Sequence, residues 1–502
     1  MGQIVNTLIS RFDGGLVEDK RSGWIGSIKN GFTTNKFSLT KHFDVFTYPK
    51  KLVPYHKTLN TGEDKTYKIV KFAQDTSTYY GQLYGFGVVS GTNRIKVFKW
   101  DGDSWEVCAN GEGGAGFPTR NTDVFFHYKG YIYMFGNGDE LSRFDTTEVA
   151  AFADIYQSIT YSTVAQPVHH PADDCAYFFA NNKVYRLDGT TWDGLVLTLP
   201  DNLKIVSACP YGNYLAIGCV VLSANYRESI VYLWDRDSSL VTLTERIHFG
   251  KGELKHLANL NNKLIGVISF YPDNLPGYGY GLGKGKIIVK QASGNFAVTL
   301  NELTLDETLT SDLMTATNVV KENKLYFPAG PKLKGDTRLG IWAVDDNGRI
   351  ALDFIEEKAT SYQGIFLMGN TWFIAHSGNG SFGVSDITAT YSITLASIYE
   401  SLIFNAGDSD LTKKLIGVAV MFEKLPAAGQ VVLKYRIDGV TSWTTIYTYT
   451  TDSGISHGAV NIESSGANLS EYKELEIRIE STGGAIITGL KFKSEIMDKQ
   501  LF

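Results

Sequence analysis

One short pattern recurs along the chain at a nearly constant spacing: an aromatic or apolar residue, any residue, an apolar residue and then aspartate. The four complete copies are Phe98-Lys99-Trp100-Asp101, Tyr185-Arg186-Leu187-Asp188, Tyr232-Leu233-Trp234-Asp235 and Trp342-Ala343-Val344-Asp345. With looser copies that end at Asp145, Lys290 and Asp386, the successive ends are 44, 43, 47, 55, 55 and 41 residues apart. A repeat of roughly 40–50 residues is typical of a β-propeller, which has one four-stranded blade per repeat. We therefore predict an all-β chain with a propeller of about seven blades over residues 61–395, with six or eight blades as the alternatives.

The pattern itself predicts a strand that leads into a turn. Alternating apolar residues give a strand with one buried face, and aspartate hydrogen-bonds backbone groups at the start of a turn. Asp101-Gly102 and Asp188-Gly189 predict type I′ hairpins, which need positive φ at both central residues. A second hairpin precedes most copies, for example at Lys129-Gly130. Turn formation accounts for the aspartates, so the pattern indicates architecture rather than calcium binding or acid catalysis.

Two segments lie outside the repeat. Residues 1–60 are too irregular for a blade and predict an N-terminal arm that lies on the propeller or on a neighbouring subunit. Residues 396–502 alternate in polarity and have turns at Asp438-Gly439 and Thr482-Gly483-Gly484, which predicts a small antiparallel β-sandwich. The best candidate for a helix is a weakly amphipathic stretch over residues 148–159.

Composition excludes several classes of protein. The 502 residues include 51 Gly, 28 Tyr and 28 Phe, and 43% are hydrophobic, which is well above a disordered composition. No run approaches the ~18 apolar residues that span a bilayer, and residues 1–6 do not resemble a signal peptide. A net charge of −6 gives no sign of a dedicated nucleic-acid binder. Four cysteines do not make a disulfide framework and indicate assembly in a reducing cytosol with buried thiols, at Cys108, Cys175, Cys209 and Cys219.

Two local clusters contain residue types found in phosphate-binding loops or metal sites, and neither cluster has the spacing that such a site requires. The glycine tract 277–286 has neither the glycine spacing nor the Ser/Thr of a phosphate-binding loop, so it predicts an extended loop between strands. His169, His170, Asp173, Asp174 and Cys175 are metal-ligand types, but adjacent histidines point in different directions in extended backbone. We therefore predict no metal, no cofactor and no catalytic residue. The small basic spots, including Lys413-Lys414, are interpreted as solvated faces.

Two other functions remain as alternatives. A propeller glycosidase needs carboxylates that converge in one site, and pairs such as Asp173-Asp174 and Glu356-Glu357 are not placed together by the sequence. The Asp-Gly-x-x-Trp phrases lack the Asp-x-Gly order of the sialidase box. A carbohydrate-binding adhesin would use exposed aromatic residues, although propeller and sandwich cores also require them.

The flanks resemble structural proteins of tailed bacteriophages. The resemblance lies in Phe12-Asp13-Gly14-Gly15 with the stretch 38–54, and in three C-terminal stretches that are similar to the sandwich closing many phage tail proteins: 422–438, 472–479 and 487–494. The order arm, propeller and sandwich is similar to the hub, nozzle or packaged-DNA-stabilising proteins of phage tails. The resemblance implies a non-enzymatic virion component, assembled in the host bacterial cytoplasm, that forms a ring around the DNA exit path.

The implied partners are other tail proteins and copies of the chain itself. Transiting DNA, bound without sequence specificity, and a host glycan are further partners left open, and no membrane span is expected. The residues predicted to bind partners are Phe12, Asp13, Trp24, Tyr278, Tyr280 and Lys284.

Overall fold

The chain divides into two compact units in the computed structural model. The terminal unit comprises Met1–Thr58, Arg349–Ile355 and Ile387–Phe502, and the middle unit comprises Leu59–Gly348 and Glu356–Asp386. The residues that the structure describes are 3–17, 21, 23–27, 29–58, 67–75, 81–89, 95–102, 105–107, 124–136, 140–145, 152–222, 227–237, 245–270, 285–305, 317–333, 336–355, 359–369, 371–378, 381–388, 396–450, 457–461 and 471–497.

Every regular element among these residues is a β-strand, which confirms the all-β prediction. Part of the stretch 148–159, the best helix candidate in the sequence, forms the strand Phe152–Ser158. No helix in the described part of the chain is long and apolar enough to cross a membrane.

The strands are numbered in chain order. The first seven are β1 (Ile4–Ile9), β2 (Ile25–Ser27), β3 (Gly31–Thr33), β4 (Leu39–Lys41), β5 (Phe43–Asp44), β6 (Val53–Pro54) and β7 (His56–Thr58). The next twenty are β8 (Tyr67–Asp75), β9 (Gln82–Val89), β10 (Ile95–Trp100), β11 (Trp105–Val107), β12 (Phe125–Tyr128), β13 (Tyr131–Gly136), β14 (Glu140–Asp145), β15 (Phe152–Ser158), β16 (Val164–His170), β17 (Cys175–Ala180), β18 (Lys183–Asp188), β19 (Thr191–Thr198), β20 (Leu203–Tyr211), β21 (Tyr214–Leu222), β22 (Arg227–Trp234), β23 (Glu245–Lys251), β24 (Glu253–Leu260), β25 (Lys263–Phe270), β26 (Lys286–Ser293) and β27 (Phe296–Thr304). The remainder are β28 (Val319–Lys321), β29 (Lys324–Ala329), β30 (Lys332–Leu333), β31 (Asp336–Thr337), β32 (Gly340–Asp345), β33 (Ile350–Phe354), β34 (Ser361–Met368), β35 (Thr371–Gly378), β36 (Ser381–Thr388), β37 (Ser397–Glu400), β38 (Lys413–Phe422), β39 (Gln430–Ile437), β40 (Thr444–Thr450), β41 (His457–Asn461), β42 (Leu475–Thr482) and β43 (Ile487–Ile496).

The middle unit is a series of small sheets whose strands follow one another in sequence. Four consecutive strands form each of the sheets β8–β11, β12–β15 and β16–β19. The next eight strands form two four-stranded halves, β20–β23 and β24–β27, which are joined by a single parallel pair between His248 and Phe296. Two further sets follow, in which β28, β29 and β32 are neighbours and β34, β35 and β36 are neighbours.

The sequence pattern occupies the same place in each of these seven sets of strands. Each of its seven copies falls in, or directly after, the third strand of its set: β10, β14, β18, β22, β26, β32 and β36. The first strands also resemble one another, because β8, β16, β20, β24 and β34 each carry a one-residue shift of register against the second strand. Equivalent strands therefore have equivalent positions and irregularities in successive sets.

Successive sets pack side by side through aromatic side chains and, in all but one case, through their first strands. β8 contacts β12, β12 contacts β16, β16 contacts β20 and β20 contacts β24; β24 contacts β29, β28 contacts β34, and β34 contacts β8. The core between the last set and the first contains Trp100 against Phe373, with ring centroids 5.3 Å apart. Corresponding ring contacts between other neighbouring sets are Phe86–Phe125, Tyr133–Phe178, Tyr177–Trp234, His256–Phe327 and Tyr326–Trp372.

The turn between the first and second strands has a recurrent geometry. Lys129-Gly130, Asn261-Asn262 and Glu322-Asn323 have positive φ at both positions, which is the type I′ conformation that fits the twist of a hairpin. The Asp188-Gly189 hairpin differs from the prediction, because Asp188 is the last paired strand residue and only Gly189 has positive φ. Asp438-Gly439 in the terminal unit does have positive φ at both positions, and the Val440 amide closes this turn on the Ile437 carbonyl.

The terminal unit contains two larger sheets. One has the order β2-β3-β1-β43-β38-β41 and the other has the order β4-β37-β42-β39-β40. Phe422 of the first sheet contacts Tyr449 of the second, with ring centroids 5.5 Å apart. Residues 1–60 were predicted to form an arm outside the sandwich, whereas β1 is hydrogen-bonded along its whole length to β43. The physical reason is that β1 alternates exposed and buried residues and needs a sheet on which to bury the Val5 and Ile9 side chains.

Candidate functional site

Phe12 was predicted to bind a partner, and the structure places it in the core of the terminal unit. Its side chain is fully buried and meets the Tyr399 ring edge-on, with centroids 5.3 Å apart. Its backbone N–H donates to the Pro49 carbonyl at 2.9 Å. Burial leaves this side chain inaccessible in the folded unit, so its role here is packing rather than partner contact.

Asp13 is also buried, with 2% of its surface exposed, and it is held between two arginines. Arg11 donates through Nε and Nη2 to the two carboxylate oxygens at 3.2 and 2.7 Å, and Arg349 Nη1 donates to Oδ2 at 2.7 Å. Burial by itself raises the pKa of Asp13, but the two guanidinium groups outweigh it and hold the pKa below its usual value. Asp13 thus joins two distant segments of the terminal unit, a role that replaces its predicted partner contact.

Trp24 is half-buried on the aromatic core of the same unit. Its indole Nε1 donates to the Ile403 carbonyl at 2.9 Å, and its ring meets Phe404 and Phe492 edge-on at 5.4 and 6.2 Å. These contacts fix the segment that precedes β2. The remaining predicted partner residues, Tyr278, Tyr280 and Lys284, lie outside the described residues together with residues 277–284 of the glycine tract, as does the pair Glu356-Glu357.

The densest group of titratable side chains surrounds the turn between β16 and β17. His169 and His170 end β16, and they point in different directions as expected: His169 is exposed, whereas His170 is fully buried. His169 Nε2 lies 2.8 Å from Asp174 Oδ1, and Lys129 forms an ion pair with the same carboxylate. Asp174 adopts a φ of +54°, which is unfavourable for a residue with a side chain and common only for Asn, Asp and Gly.

Asp173 and Arg236 form the inner part of this group, which we call the Asp173 cluster and which consists of His169, His170, Asp173, Asp174, Tyr177 and Arg236. Arg236 Nη1 lies 2.7 Å from Asp173 Oδ2, and the Tyr177 hydroxyl donates to the same oxygen at 2.5 Å. Arg236 Nη2 also donates to the Asn213 carbonyl at 2.9 Å. Sequence reasoning missed Arg236, because it follows the pattern aspartate of the next set of strands and nothing local connects it to position 173.

The hydrogen bonds determine the protonation state of His170. Its Nε2 donates to the Tyr214 carbonyl at 3.0 Å, while its Nδ1 faces two donors, the Ala172 amide at 3.3 Å and Arg236 Nη1 at 3.1 Å. A nitrogen that accepts from two donors carries no proton, so the imidazole is neutral. Burial and the nearby Arg236 charge lower the pKa of His170, in agreement with this assignment.

The side chains of the Asp173 cluster therefore form hydrogen bonds and ion pairs with one another and with the backbone. The Tyr177 hydroxyl is held protonated, because burial and the Asp173 hydrogen bond raise its pKa. The Lys129 and His169 contacts lower the pKa of Asp174, which keeps that carboxylate ionised as their partner. Among the described residues, no group of three or more His, Cys, Asp or Glu side chains is placed to hold a metal ion.

The described cysteines behave as small apolar core residues. Cys175, Cys209 and Cys219 are free and buried. Burial raises the pKa of Cys175 to about 11 and that of Cys209 to about 12, so both remain thiols near neutral pH. Cys108 lies outside the described residues.

Lys413 differs from its predicted role as part of a solvated basic face. Its side chain is fully buried in the terminal unit, where Nζ donates to the Asp408 carbonyl at 3.2 Å and to the Leu411 carbonyl. Burial lowers the pKa of Lys413 to about 8. The preceding segment curls around the ammonium group, an arrangement that the Lys-Lys pair does not reveal in the sequence.

Comparisons with known proteins give no family. No family model matches the chain, and no curated protein matches it. Solved structures with some likeness include the computationally designed Ika8 protein, at 12% identity and a TM-score of 0.38, with 66% of this chain and 99% of that chain covered. A protein of unknown function from Bacteroides caccae matches at 10% identity and a TM-score of 0.33, covering 50% of this chain and 83% of that one. A structure of S. cerevisiae Dbp5 bound to Nup159, Gle1, IP6 and ADP matches at 11% identity and a TM-score of 0.37, covering 65% and 96%. Likeness at these TM-scores is too distant to indicate a function.

Proposed function

We propose that the middle unit is a seven-bladed β-propeller and that the terminal unit is a β-sandwich. The seven sets of strands supply the blades, and the sequence pattern falls at the third strand of each. The first strands contact one another in order except between the fifth and sixth sets, where β24 contacts β29, and β34 returns to β8, as expected of innermost strands around a central axis. The two sheets of the terminal unit, in contact through Phe422 and Tyr449, supply the layers of the sandwich.

We further propose that the protein is a non-enzymatic structural component of a tailed-phage virion, part of the tail around the DNA exit path. The observation that carries this proposal is the return of the last set of strands to the first through Trp100 and Phe373, because a closed set of blades is a rigid scaffold. The resemblance of residues 12–15 and of the C-terminal stretches to phage tail proteins supports the proposal that this scaffold belongs to a phage tail. In agreement with a scaffold role, the polar side chains of the Asp173 cluster and Asp13 are engaged in structural contacts.

The test is to locate the chain in a particle. Antibodies raised against the purified chain are used for immunogold labelling of tailed-phage particles from the source culture, and purified protein is imaged for its oligomeric order. Labelling on the tail axis, with the protein in a ring, is the expected result. Labelling of peripheral fibres that bind host glycan supports an adhesin instead. Release of sugar from host envelopes that is abolished by one carboxylate substitution identifies a glycosidase and overturns the proposal.

A further inference from the structure

Strand β1 is apolar on both of its faces, although the sheet that contains it has only one covered face. Val5 and Ile9 point into the terminal unit and are fully buried, whereas Ile4 and Leu8 point outward and are 52% and 42% exposed. A half-buried strand normally carries polar residues on its outer face. Exposed apolar side chains that cluster on one face of a sheet indicate a surface that is covered by a partner.

The neighbouring strands extend this surface. In register, Leu8 lies beside Thr33 of β3, and Thr33 lies beside Ile25 of β2, whose side chain is 71% exposed. On the other side of β1, Leu8 is paired with Lys491, Asn6 with Lys493 and Ile4 with Glu495. Lys491 and Lys493 are exposed and have no ion-pair partner among the described residues. We call this surface the β1–β43 face; it consists of Ile4, Asn6, Leu8, Ile25, Lys491, Lys493 and Glu495.

The residues of this face on β1 and β43 are arranged symmetrically about the Asn6–Lys493 pair, whereas Ile25 has no counterpart. Along β1, Ile4 and Leu8 stand two residues to either side of Asn6. Along β43, Lys491 and Glu495 stand two residues to either side of Lys493, with opposite charges. A two-fold axis that runs parallel to the sheet over the Asn6–Lys493 pair, perpendicular to the strands, therefore maps Ile4 onto Leu8 and Lys491 onto Glu495.

We propose that the β1–β43 face binds the same face of a second copy of this chain, with two-fold symmetry. In this arrangement Ile4 packs on the partner's Leu8, Lys491 pairs with the partner's Glu495, and both contacts occur twice. An isologous interface requires this self-complementarity, in which the contact of residue i with residue j is repeated as j with i. The one unfavourable element is Lys493, which faces the partner's Lys493 across the axis.

The available area is at the low end of specific interfaces. The strands are about 4.8 Å apart and rise about 3.3 Å per residue, and because β2 and β3 have only three residues each and β41 has five, the face of this sheet measures about 590 Å². A standard interface buries about 800 Å² on each partner. The pairing is proposed from this face alone and does not rest on the role in a virion.

The lysine on the axis distinguishes a second copy from a different partner. If a second copy covers the face, Lys493→Gln removes a like-charge contact and tightens the association. If an acidic protein of another kind covers it, the same substitution removes an attractive contact and weakens binding. The sign of this effect identifies the occupant.

The experiment measures self-association of the full chain by sedimentation velocity over a range of concentrations. Leu8→Glu is expected to raise the dissociation constant at least about tenfold, because it places two carboxylates in the apolar contact. Lys491→Glu and Glu495→Lys are each expected to weaken association, and the double variant is expected to restore it. Val320→Glu, at an exposed apolar strand residue outside the face, serves as the matched control and leaves association unchanged.

Circular dichroism and thermal unfolding of every variant separate loss of association from loss of folding. This control matters for Glu495→Lys in particular, because Lys414 of β38 is its neighbour in register. A wild-type chain that stays monomeric at all concentrations overturns the proposal. Failure of the folded double variant to recover association, or a weaker association of Lys493→Gln, overturns it as well.

Discussion

Two buried charged side chains of this protein, Asp13 and Lys413, form direct ion pairs or hydrogen bonds with other groups of the chain. Asp13 lies between the guanidinium groups of Arg11 and Arg349, and the Lys413 ammonium is held by two backbone carbonyls. His170 is buried as a neutral ring with a fixed proton. Removing one member of such a contact leaves a desolvated group behind, which costs more than the contact itself contributes. The largest effects of single polar substitutions are therefore expected at these positions.

Asp13→Asn tests the first of these contacts. The amide keeps the size of the side chain but lacks the charge that pairs with two arginines, so we expect the free energy of unfolding of the terminal unit to fall by about 1–3 kcal/mol. Because the folded pKa of Asp13 is depressed, its stabilisation is present above the unfolded pKa and is lost as the pH falls through the folded pKa. Urea unfolding at neutral and acidic pH measures both effects.

The control for Asp13 is an exposed ion pair in the same unit. Lys51 and Glu423 form such a pair with both side chains more than 40% exposed. Lys51→Gln is expected to change the free energy of unfolding by less than about 0.5 kcal/mol. An equal loss in the two variants would contradict a special role for Asp13.

Because the pKa of Lys413 is lowered, we expect the free energy of unfolding to depend on pH in the alkaline range. Its folded pKa of about 8 lies below the unfolded value of about 10.4, so between these values the unfolded chain binds more protons than the folded one. The free energy of unfolding therefore rises with pH over that interval, and the contribution of Lys413 is constant below the folded pKa. Relative to Lys413→Met, the wild-type free energy of unfolding is expected to rise by up to about 1.4 kcal/mol per pH unit. Parallel pH profiles of the two proteins would contradict the shifted pKa.

At the scale of single elements, the hairpin between the first and second strands is the recurrent unit. Its type I′ turns require two residues with positive φ, and the chain fills them in three different ways: Lys129-Gly130, Asn261-Asn262 and Glu322-Asn323. Asn tolerates this conformation better than Glu does, since its short side chain hydrogen-bonds the local backbone. The turn in the sixth set of strands is therefore less favourable than its neighbour in the fifth.

Glu322→Asn is expected to stabilise the middle unit by a few tenths of a kcal/mol to about 1 kcal/mol, because it relieves the cost of positive φ. Gly130→Ala is expected to have the opposite effect and to cost about 1 kcal/mol. A β-carbon at position 130 would meet no atom within 4 Å, so any loss there comes from the backbone conformation and not from a clash. Thermal unfolding measures both variants, and a neutral Gly130→Ala would exclude the assigned turn type.

Local patterns in the sequence predicted the strands, whereas the expected turn types and the long-range pairing differ from the structure. The recurring pattern predicted strands that lead into turns, because alternation and turn residues are properties of adjacent positions. In the Asp101-Gly102 and Asp188-Gly189 turns, which were expected to be type I′, only the glycine has positive φ. The stretch 148–159 was the best candidate for a helix, although a weak one, and its residues Phe152–Ser158 form a strand because they pair with β14. The pairing of β1 with β43 and of Asp173 with Arg236 joins segments with no shared local signal.

At the scale of the whole molecule, the contact between the first and last sets of strands has a cooperative consequence. In an open stack, loosening one contact between neighbours affects only those neighbours. In a closed series, every set depends on the remaining contacts to stay in place. The contact of Trp100 with Phe373 is therefore expected to influence strands far from either residue.

Trp100→Ala tests this expectation. Removing the indole is expected to cost about 3–5 kcal/mol and to lower hydrogen-exchange protection in all seven sets of the middle unit. Leu195→Ala, at an exposed position on β19, serves as the control and leaves protection unchanged. Loss of protection confined to β8–β11 and β34–β36 would contradict the closed arrangement.

The pairing of β1 with β43 also determines when this sheet of the terminal unit can form during synthesis of the chain. Ile4 and its register partner Glu495 are 491 residues apart, so Ile4 is translated long before Glu495. At about 5–20 residues per second, β1 waits on the order of half a minute or longer for the strand beside it. The middle unit is translated within that interval and has the opportunity to fold first. β1, with Ile4 and Leu8 on one face and Val5 and Ile9 on the other, thus lacks the β43 strand until residues 487–496 are translated, which makes β1 a segment where a holding chaperone would act.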